Sequence, residues 1–219
     1  MTDGYSLSLP DPRAERHEMV RTQIAARGIS DAAVLAAMRT VPRHEFVPPD
    51  LRAMAYEDRP LPIGRGQTIS QPYIVALMSE LAELRGGESV LEVGTGSGYQ
   101  SAVLAELAAH VYTIEIVEPL LRGAAGTLQR LSYRNVVPRF GDGREGWKEL
   151  APFDAILVTA APPRTVPAEL LQQLAEGGRL VAPVGEEVQT LRLVRRRGGG
   201  FEERELTAVR FVPLVGSVE

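Results

Sequence analysis

The chain contains no cysteine. Disulfides, thiolate metal sites and cysteine nucleophiles are therefore excluded together. Lysine is almost as scarce: Lys148 is the only one among 24 basic residues, and no motif around it supports Schiff-base chemistry. The three histidines, His17, His44 and His110, lie far apart and never take up the i, i+4 spacing of a metal-binding helix, so no metal is expected. No extended basic stripe interrupts a formal net charge of −4, and nucleic acid is not an expected partner. Arg195-Arg196-Arg197 runs directly into Gly198-Gly199-Gly200, the pattern of a solvated hairpin turn. No apolar run approaches a membrane span, and the first residues lack the apolar centre of a signal peptide. A cytoplasmic monomer with no membrane partner is the expectation. What is present suffices for a substantial core: 44% of the 219 residues are hydrophobic.

From Val90 onward the chain alternates between short apolar runs and amphipathic stretches. Strands are predicted at 89–93, 111–116, 135–140, 154–159 and 179–184, with helices at 99–109, 118–131, 145–150 and 167–175. Such alternation predicts an α/β fold, a Rossmann-like doubly wound sheet, mostly parallel, with helices on both faces. Two further runs, 188–195 and 206–214, flank a Gly-rich turn and predict an antiparallel C-terminal hairpin. Ahead of the sheet lies a helical N-terminal extension. Residues 1–13 are expected to be a loose tail, followed by a helix from Ala14 to Ala26 that stops at Gly28. Ser30 is placed to cap a second helix through Met38. Val41 to Pro49 reads as extended because of its prolines, and 50–71 as irregular. Pro72 opens a helix with a wide apolar face. The expected division is 1–71, an extension with a substrate or lid segment, and 72–219, a ligand-binding core.

The most specific stretch is Val90-Leu91-Glu92-Val93-Gly94-Thr95-Gly96-Ser97-Gly98. An apolar strand ends in an acid, and three glycines then let the backbone turn sharply and approach a ligand closely. A dinucleotide fingerprint would need glycine at position 99, where this chain has Tyr99. The E-x-G-x-G-x-G spacing instead resembles the first motif of S-adenosylmethionine-dependent methyltransferases. In open α/β sheets, ligands bind outside the carboxyl ends of the strands, and three acids fall there: Glu92, Glu115 and Asp142. A carboxylate such as Glu115 at the second strand end can accept both ribose hydroxyl protons. Asp142 sits in Gly141-Asp142-Gly143 after the third strand. Two Asp-Gly pairs, Asp3-Gly4 and Asp142-Gly143, are prone to succinimide formation, and the first is expected to age. After the fourth strand, Thr159-Ala160-Ala161-Pro162-Pro163 lacks the polar-Pro-Pro-aromatic motif that many amine methyltransferases carry. A carboxylate acceptor is therefore favoured over an exposed base.

Several blocks together resemble protein-L-isoaspartate O-methyltransferases over nearly the whole chain. They are Val41-Pro42-Arg43-His44-Glu45-Phe46-Val47-Pro48, Ala55-Tyr56-Glu57-Asp58, Gly66-Gln67-Thr68-Ile69-Ser70-Gln71-Pro72, the glycine turn, Gly141-Asp142-Gly143, Ala160-Ala161-Pro162 and Phe211-Val212-Pro213-Leu214. The Gln67–Pro72 block is the most specific, because general methyltransferases lack it. The resemblance implies S-adenosylmethionine as donor, S-adenosylhomocysteine as product, no metal, and isoaspartyl proteins and peptides as partners. It implies that Ser70 is the active-site serine contacting the acceptor carboxylate. Thr68, Ile69, Gln71, Val212, Pro213 and Leu214 would lie against the acceptor. Glu92, Gly94, Thr95, Gly96, Ser97, Gly98, Glu115, Asp142 and Gly143 would hold the donor. Read from the residues alone, Ser70 also suits a turn or a helix cap. A methyltransferase for another carboxylate, a small molecule or RNA, a nicotinamide-dependent oxidoreductase, and a non-catalytic donor-binding module remain alternatives at this point. An isoaspartyl carboxylate is already ionised at neutral pH, so the expected chemistry needs no general base. Alignment of oxygen, methyl and sulfur would supply the catalysis.

Overall fold

The computed structural model describes residues 11–216; the tail before Asp11, with Asp3-Gly4, lies outside them. Seven strands form one sheet: β3 (Ser89–Val93), β4 (His110–Glu115), β5 (Val136–Phe140), β6 (Phe153–Val158), β7 (Leu174–Val184), β8 (Gln189–Arg197) and β9 (Gly200–Val209). Their order is β5-β4-β3-β6-β7-β8-β9, with the first five parallel and β8 and β9 antiparallel. Helices α4 (Tyr99–Ala105), α5 (Glu118–Arg130) and α6 (Ala168–Gln172) connect the parallel strands. This is the doubly wound, Rossmann-like sheet that the alternation predicts.

Side-chain alternation along the central strands explains why their sequences are apolar without a break. Val90, Ala155, Leu157 and Val181 face one buried cluster, while Leu91, Ile156, Val158, Leu180 and Ala182 face the other. Successive residues of a strand point to opposite faces, so a sheet covered on both sides needs apolar residues at every position. At the open edge, β9 runs Glu202-Glu203-Arg204-Glu205, all exposed. Charges on an edge strand discourage pairing with another chain.

The N-terminal extension packs α1 (Pro12–Met19), α2 (Ala32–Thr40) and α3 (Pro72–Leu81) over the first of these clusters. Asp11 caps α1, and Pro12 occupies its first turn, so residues 11–13 open the helix rather than end the tail. The chain continues through one wide turn, Val20–Ile24, and a tight one, Ala25–Arg27, to Gly28 at φ 97°. Asp31, not Ser30, caps α2, its carboxylate accepting from the amides of Ala33 and Val34. Ser30 is displaced because Glu80 of α3 already accepts from the amides of Ser30 and Asp31, at 2.7 and 2.8 Å.

Other differences from the sequence expectation have equally local causes. Arg43–Phe46 forms a tight turn within the 41–49 run expected to be extended, and Pro49–Met54 forms a second where irregular chain is expected. The 50–71 stretch is not irregular throughout: β1 (Leu61–Gly64) and β2 (Gln67–Ile69) make a small antiparallel hairpin. Instead of one helix over 145–150 there are two single tight turns, Gly143–Glu145 and Lys148–Leu150, parted where Gly146 adopts φ 66° and the Trp147 amide donates to Gln173 Oε1. The helix predicted over 167–175 ends at Gln172, since Leu174 already pairs with Phe153 as the start of β7. The last strand stops at Val209 rather than Leu214.

Candidate active site

Growth of the sheet reverses direction between β3 and β6, which leaves a crevice at their carboxyl ends. A cavity, partly open to solvent, occupies that position. The glycine turn after β3 forms its floor. Gly94 (φ 98°), Gly96 (φ 53°) and Gly98 (φ 85°) all adopt the left-handed conformation that side chains disfavour. A Cβ at Gly94 would stand 2.5 Å from Thr159 Oγ1, so glycine is also required for β3 and β6 to end side by side.

Beneath the turn lies a buried polar network. Glu92 is fully buried and accepts from the hydroxyls of Ser101 and Thr113, the latter at 2.7 Å. Thr113 Oγ1 is in turn 2.7 Å from Thr95 Oγ1. One carboxyl oxygen of Glu92, Oε1, has no hydrogen-bond partner among the described residues, and burial pushes the group's pKa up to about 8. Glu115, at the end of β4, accepts from the amides of Gly96 (2.8 Å) and Val117 (2.9 Å), which ties the glycine turn to the neighbouring strand end. Thr159 Oγ1 donates toward the carbonyls of Val93 and Gly94. Glu92, Gly94, Thr95, Gly96, Ser97, Glu115 and Gly143 all line the cavity.

Two of the nominated donor residues do not line it. Gly98 lies beside α5, where an added Cβ would come 3.2 Å from Ala124 Cβ and 3.3 Å from Leu128 Cδ1. The Asp142 carboxylate turns to Arg144, accepting from its backbone amide at 2.9 Å and from its guanidinium at 2.6 Å. The adjoining Gly143 reaches the cavity wall, where any Cβ would overlap Val93.

The opposite wall comes from the β1–β2 hairpin and from the chain after β9. Thr68, Ile69 and Ser70 line the cavity, whereas Gln71 turns its amide to the Asp58 carbonyl, 3.1 Å away. Gln71, not Ser70, is the residue capping α3, and it does so without a side-chain bond. The capping interpretation of Ser70 is thereby removed. Its hydroxyl has no hydrogen-bond partner among the described residues. Val212, Pro213 and Leu214 close the rim. They are held by a parallel bridge in which the Ala161 amide donates to Val212 O and the Leu214 amide to Ala161 O, both at 2.8 Å. This bridge explains why the strand predicted to 214 leaves the sheet early: the segment pairs with the chain after β6 instead.

These residues fit S-adenosylmethionine. An unpartnered buried carboxyl oxygen suits a positively charged group, and the glycine backbone leaves room for close approach. Comparison with known proteins agrees. Residues 14–219 match the family model described as protein-L-isoaspartate(D-aspartate) O-methyltransferase. The chain belongs to this family. A protein-L-isoaspartate O-methyltransferase from Opitutus terrae is 60% identical over 201 residues, covering 91% of this chain and 86% of the relative. One from Gloeobacter violaceus is 57% identical over 198 residues, covering 90% and 96%. A Plasmodium falciparum structure described as a protein-L-isoaspartate O-methyltransferase, in complex with S-adenosyl-L-homocysteine, superposes with a TM-score of 0.81 at 27% identity. That match covers 92% of this chain and 99% of the other.

For an O-methyltransferase of this family, several wall residues escaped the sequence reading. Val75, Gln100, Ile116, Val117 and Val215 line the cavity, yet none stands in a polar motif. Ile116 and Val117 could have been found by their position directly after Glu115 at a strand end. Val75 could not, because its place depends on how α3 packs. No histidine lines the cavity, and His44 Nδ1 is engaged by the Tyr56 hydroxyl at 2.6 Å. Among the described residues no cluster of histidine and acidic side chains could hold a metal, and no helix is long and apolar enough to cross a membrane.

Proposed function

We propose that this chain methylates the α-carboxylate of L-isoaspartyl residues from S-adenosylmethionine, with Ser70 orienting the acceptor. When bound, the donor supplies a methyl group on a sulfonium, ready for displacement by an oxygen nucleophile. Glu115 holds the ribose hydroxyls, and Glu92, Gly94, Thr95, Gly96, Ser97, Gly98, Asp142 and Gly143 complete the donor side, Gly98 and Asp142 by shaping the turns from behind. Thr68, Ile69, Val212, Pro213 and Leu214 form the acceptor side, with Gln71 anchoring the loop behind Ser70. The 1–71 segment thus contributes Thr68, Ile69 and Ser70 to the acceptor wall, and the donor-binding core of 72–219 supplies the rest of it. The protein acts as a cytoplasmic monomer.

The supporting observation is the Ser70 hydroxyl, which has no partner among the described residues and lines the same cavity as the glycine turn. A carboxylate of ordinary pKa, about 4, needs no base to become a nucleophile. A serine that only donates a hydrogen bond is therefore sufficient, and no histidine is required beside it. Holding oxygen, methyl and sulfur in line in a partly dry cavity provides the rate. The methyl ester formed carries a better leaving group than the carboxylate, because closure of the ring can expel it as methanol. It invites attack by the following backbone nitrogen and closure to a succinimide, whose hydrolysis returns part of the chain to aspartate.

Labelled S-adenosylmethionine offered with paired isoaspartyl and aspartyl peptides tests this reading. Methyl transfer to the isoaspartyl peptide with little to the aspartyl one is expected, because the rerouted main chain sets the angle at which the carboxylate enters. Equal labelling of the two, or labelling of neither, would contradict it.

A further inference from the structure

A second depression continues outward from the donor cavity and shares Thr68, Ser70, Thr159 and Val212 with it. Ser70 therefore stands on the saddle between the two. Among the described residues, the charged side chains lining the outer groove are Arg27 and Arg210, and no acid lines it. That is a local reversal of sign in a chain of net charge −4. Arg27 is held rigidly: its guanidinium lies 3.6 Å over the Tyr73 ring, and Nη1 is 3.0 Å from Asp58 Oδ2. Arg210 directly follows β9, is exposed, and has no hydrogen bond or ion pair with any described residue.

We infer that the outer groove receives the polypeptide flanking the isoaspartyl residue, and that Arg210 selects flanks bearing acidic side chains. The inference rests on the preceding proposal that the acceptor carboxylate sits at Ser70. An isoaspartyl residue is part of a chain, so seating its carboxylate at Ser70 sends the adjoining residues away from the donor and over the groove. Arg27, already neutralised by Asp58 and stacked on Tyr73, shapes that path. Arg210, with its charge uncommitted, reads the sign of what passes. A rim charge of this kind acts on encounter and affinity more than on the bond-making step, and salt screens it.

The test uses three isoaspartyl peptides identical except that the residues beside the damaged site are acidic, neutral or basic. Each is assayed with the native enzyme and with Arg210→Glu, at low and at physiological ionic strength. Donor affinity, measured by calorimetry, reports whether the variant is folded. The native enzyme is expected to show a KM about three- to ten-fold lower for the acidic than for the basic peptide, with similar kcat. The gap should narrow with salt, and Arg210→Glu should invert the order while changing the neutral peptide least. Efficient methylation of all three peptides, with a ranking that Arg210→Glu leaves unaltered, overturns the charge selection alone. Failure to methylate the neutral isoaspartyl peptide overturns the assignment of the acceptor site, and this inference with it.

Discussion

The two walls of the cavity are built on opposite plans. On the donor wall, polar side chains other than Glu92, which keeps one carboxyl oxygen unpartnered, are already committed to the protein: Glu115 to the Gly96 and Val117 amides, Thr95 to Thr113, and Thr159 to two carbonyls of the β3 end. On the other wall, Ser70 has no partner among the described residues, and among them the rim from Val212 to Leu214 is fastened by backbone bonds alone. A ligand common to every turnover is matched by a site whose shape is fixed before binding, which lowers the ordering cost of binding. On the proposed assignment of the walls, a variable polypeptide would be met by a hydroxyl with uncommitted bonding capacity and by apolar surface. The comparison teaches where a substitution should damage structure as well as binding, and where it should damage turnover alone.

The largest effect should come from the donor wall. Glu115→Ala removes the acceptor for two backbone amides as well as the proposed ribose contact, and charge-assisted bonds contribute roughly 1.5–3 kcal/mol each. Donor affinity measured by calorimetry should fall about a hundred-fold or more. Native affinity in this variant would show that the donor wall is not organised by Glu115.

Ser70→Ala tests the other wall. Loss of one positioning hydrogen bond costs roughly 1–3 kcal/mol, or about ten- to a hundred-fold in kcat/KM. Donor affinity should stay within about two-fold of the native value, because nothing on the donor wall is bonded to this hydroxyl. A parallel loss of donor affinity would erase the distinction between the walls.

Asp142→Ala should fall between the walls in character and below both in size. Its carboxylate caps the turn that begins at Gly143 and pairs with Arg144, so it supports the cavity from outside. Removing a cap costs about 1 kcal/mol, which predicts a drop in donor affinity of about five- to ten-fold. A loss as large as that of Glu115→Ala would place the carboxylate in direct contact with the donor.

The smallest effect is one of pH. Burial raises the Glu92 carboxyl from its ordinary value near 4.5 to about 8. Between those values the folded protein holds a proton that the unfolded chain has released. The associated stability is complete below about pH 4.5 and is lost as pH rises through 8. Urea midpoints of the donor-free protein should therefore decline from pH 5 to 8.5 more steeply in the native enzyme than in Glu92→Gln. The difference in slope should amount to a few tenths of a kcal/mol per pH unit or more. Superimposable profiles would mean that Glu92 is ionised throughout.

Much of the donor wall was legible in the chain itself, and the reason is geometric proximity. Glu92 and the glycine turn are consecutive residues at one strand end, and Glu115 lies at the next, so an apolar run and its terminator locate them. Asp142 was legible as a strand-end residue, but its turn toward Arg144 was not, because a two-residue local contact competed with the cavity. The acceptor wall was legible only through the resemblance of the Gln67–Pro72 and Phe211–Leu214 blocks. A serine before Pro72 is indistinguishable from a helix cap until the backbone shows that Gln71 occupies that position.

By itself the sequence determined the parallel core, the chain direction at each strand end and the left-handed glycines. These follow from side-chain period and backbone sterics within a few residues. The tertiary structure decided every feature in which two segments compete for one backbone group. Glu80 reaches the amides of Ser30 and Asp31 from about fifty residues away and moves the helix cap by one position. Gln173 takes the Trp147 amide and leaves two tight turns in place of one helix. Ala161 draws Val212 to Leu214 off the sheet edge and across the cavity mouth. Each backbone amide has one proton to donate, and which of several distant acceptors receives it is settled only when the chain is folded around both.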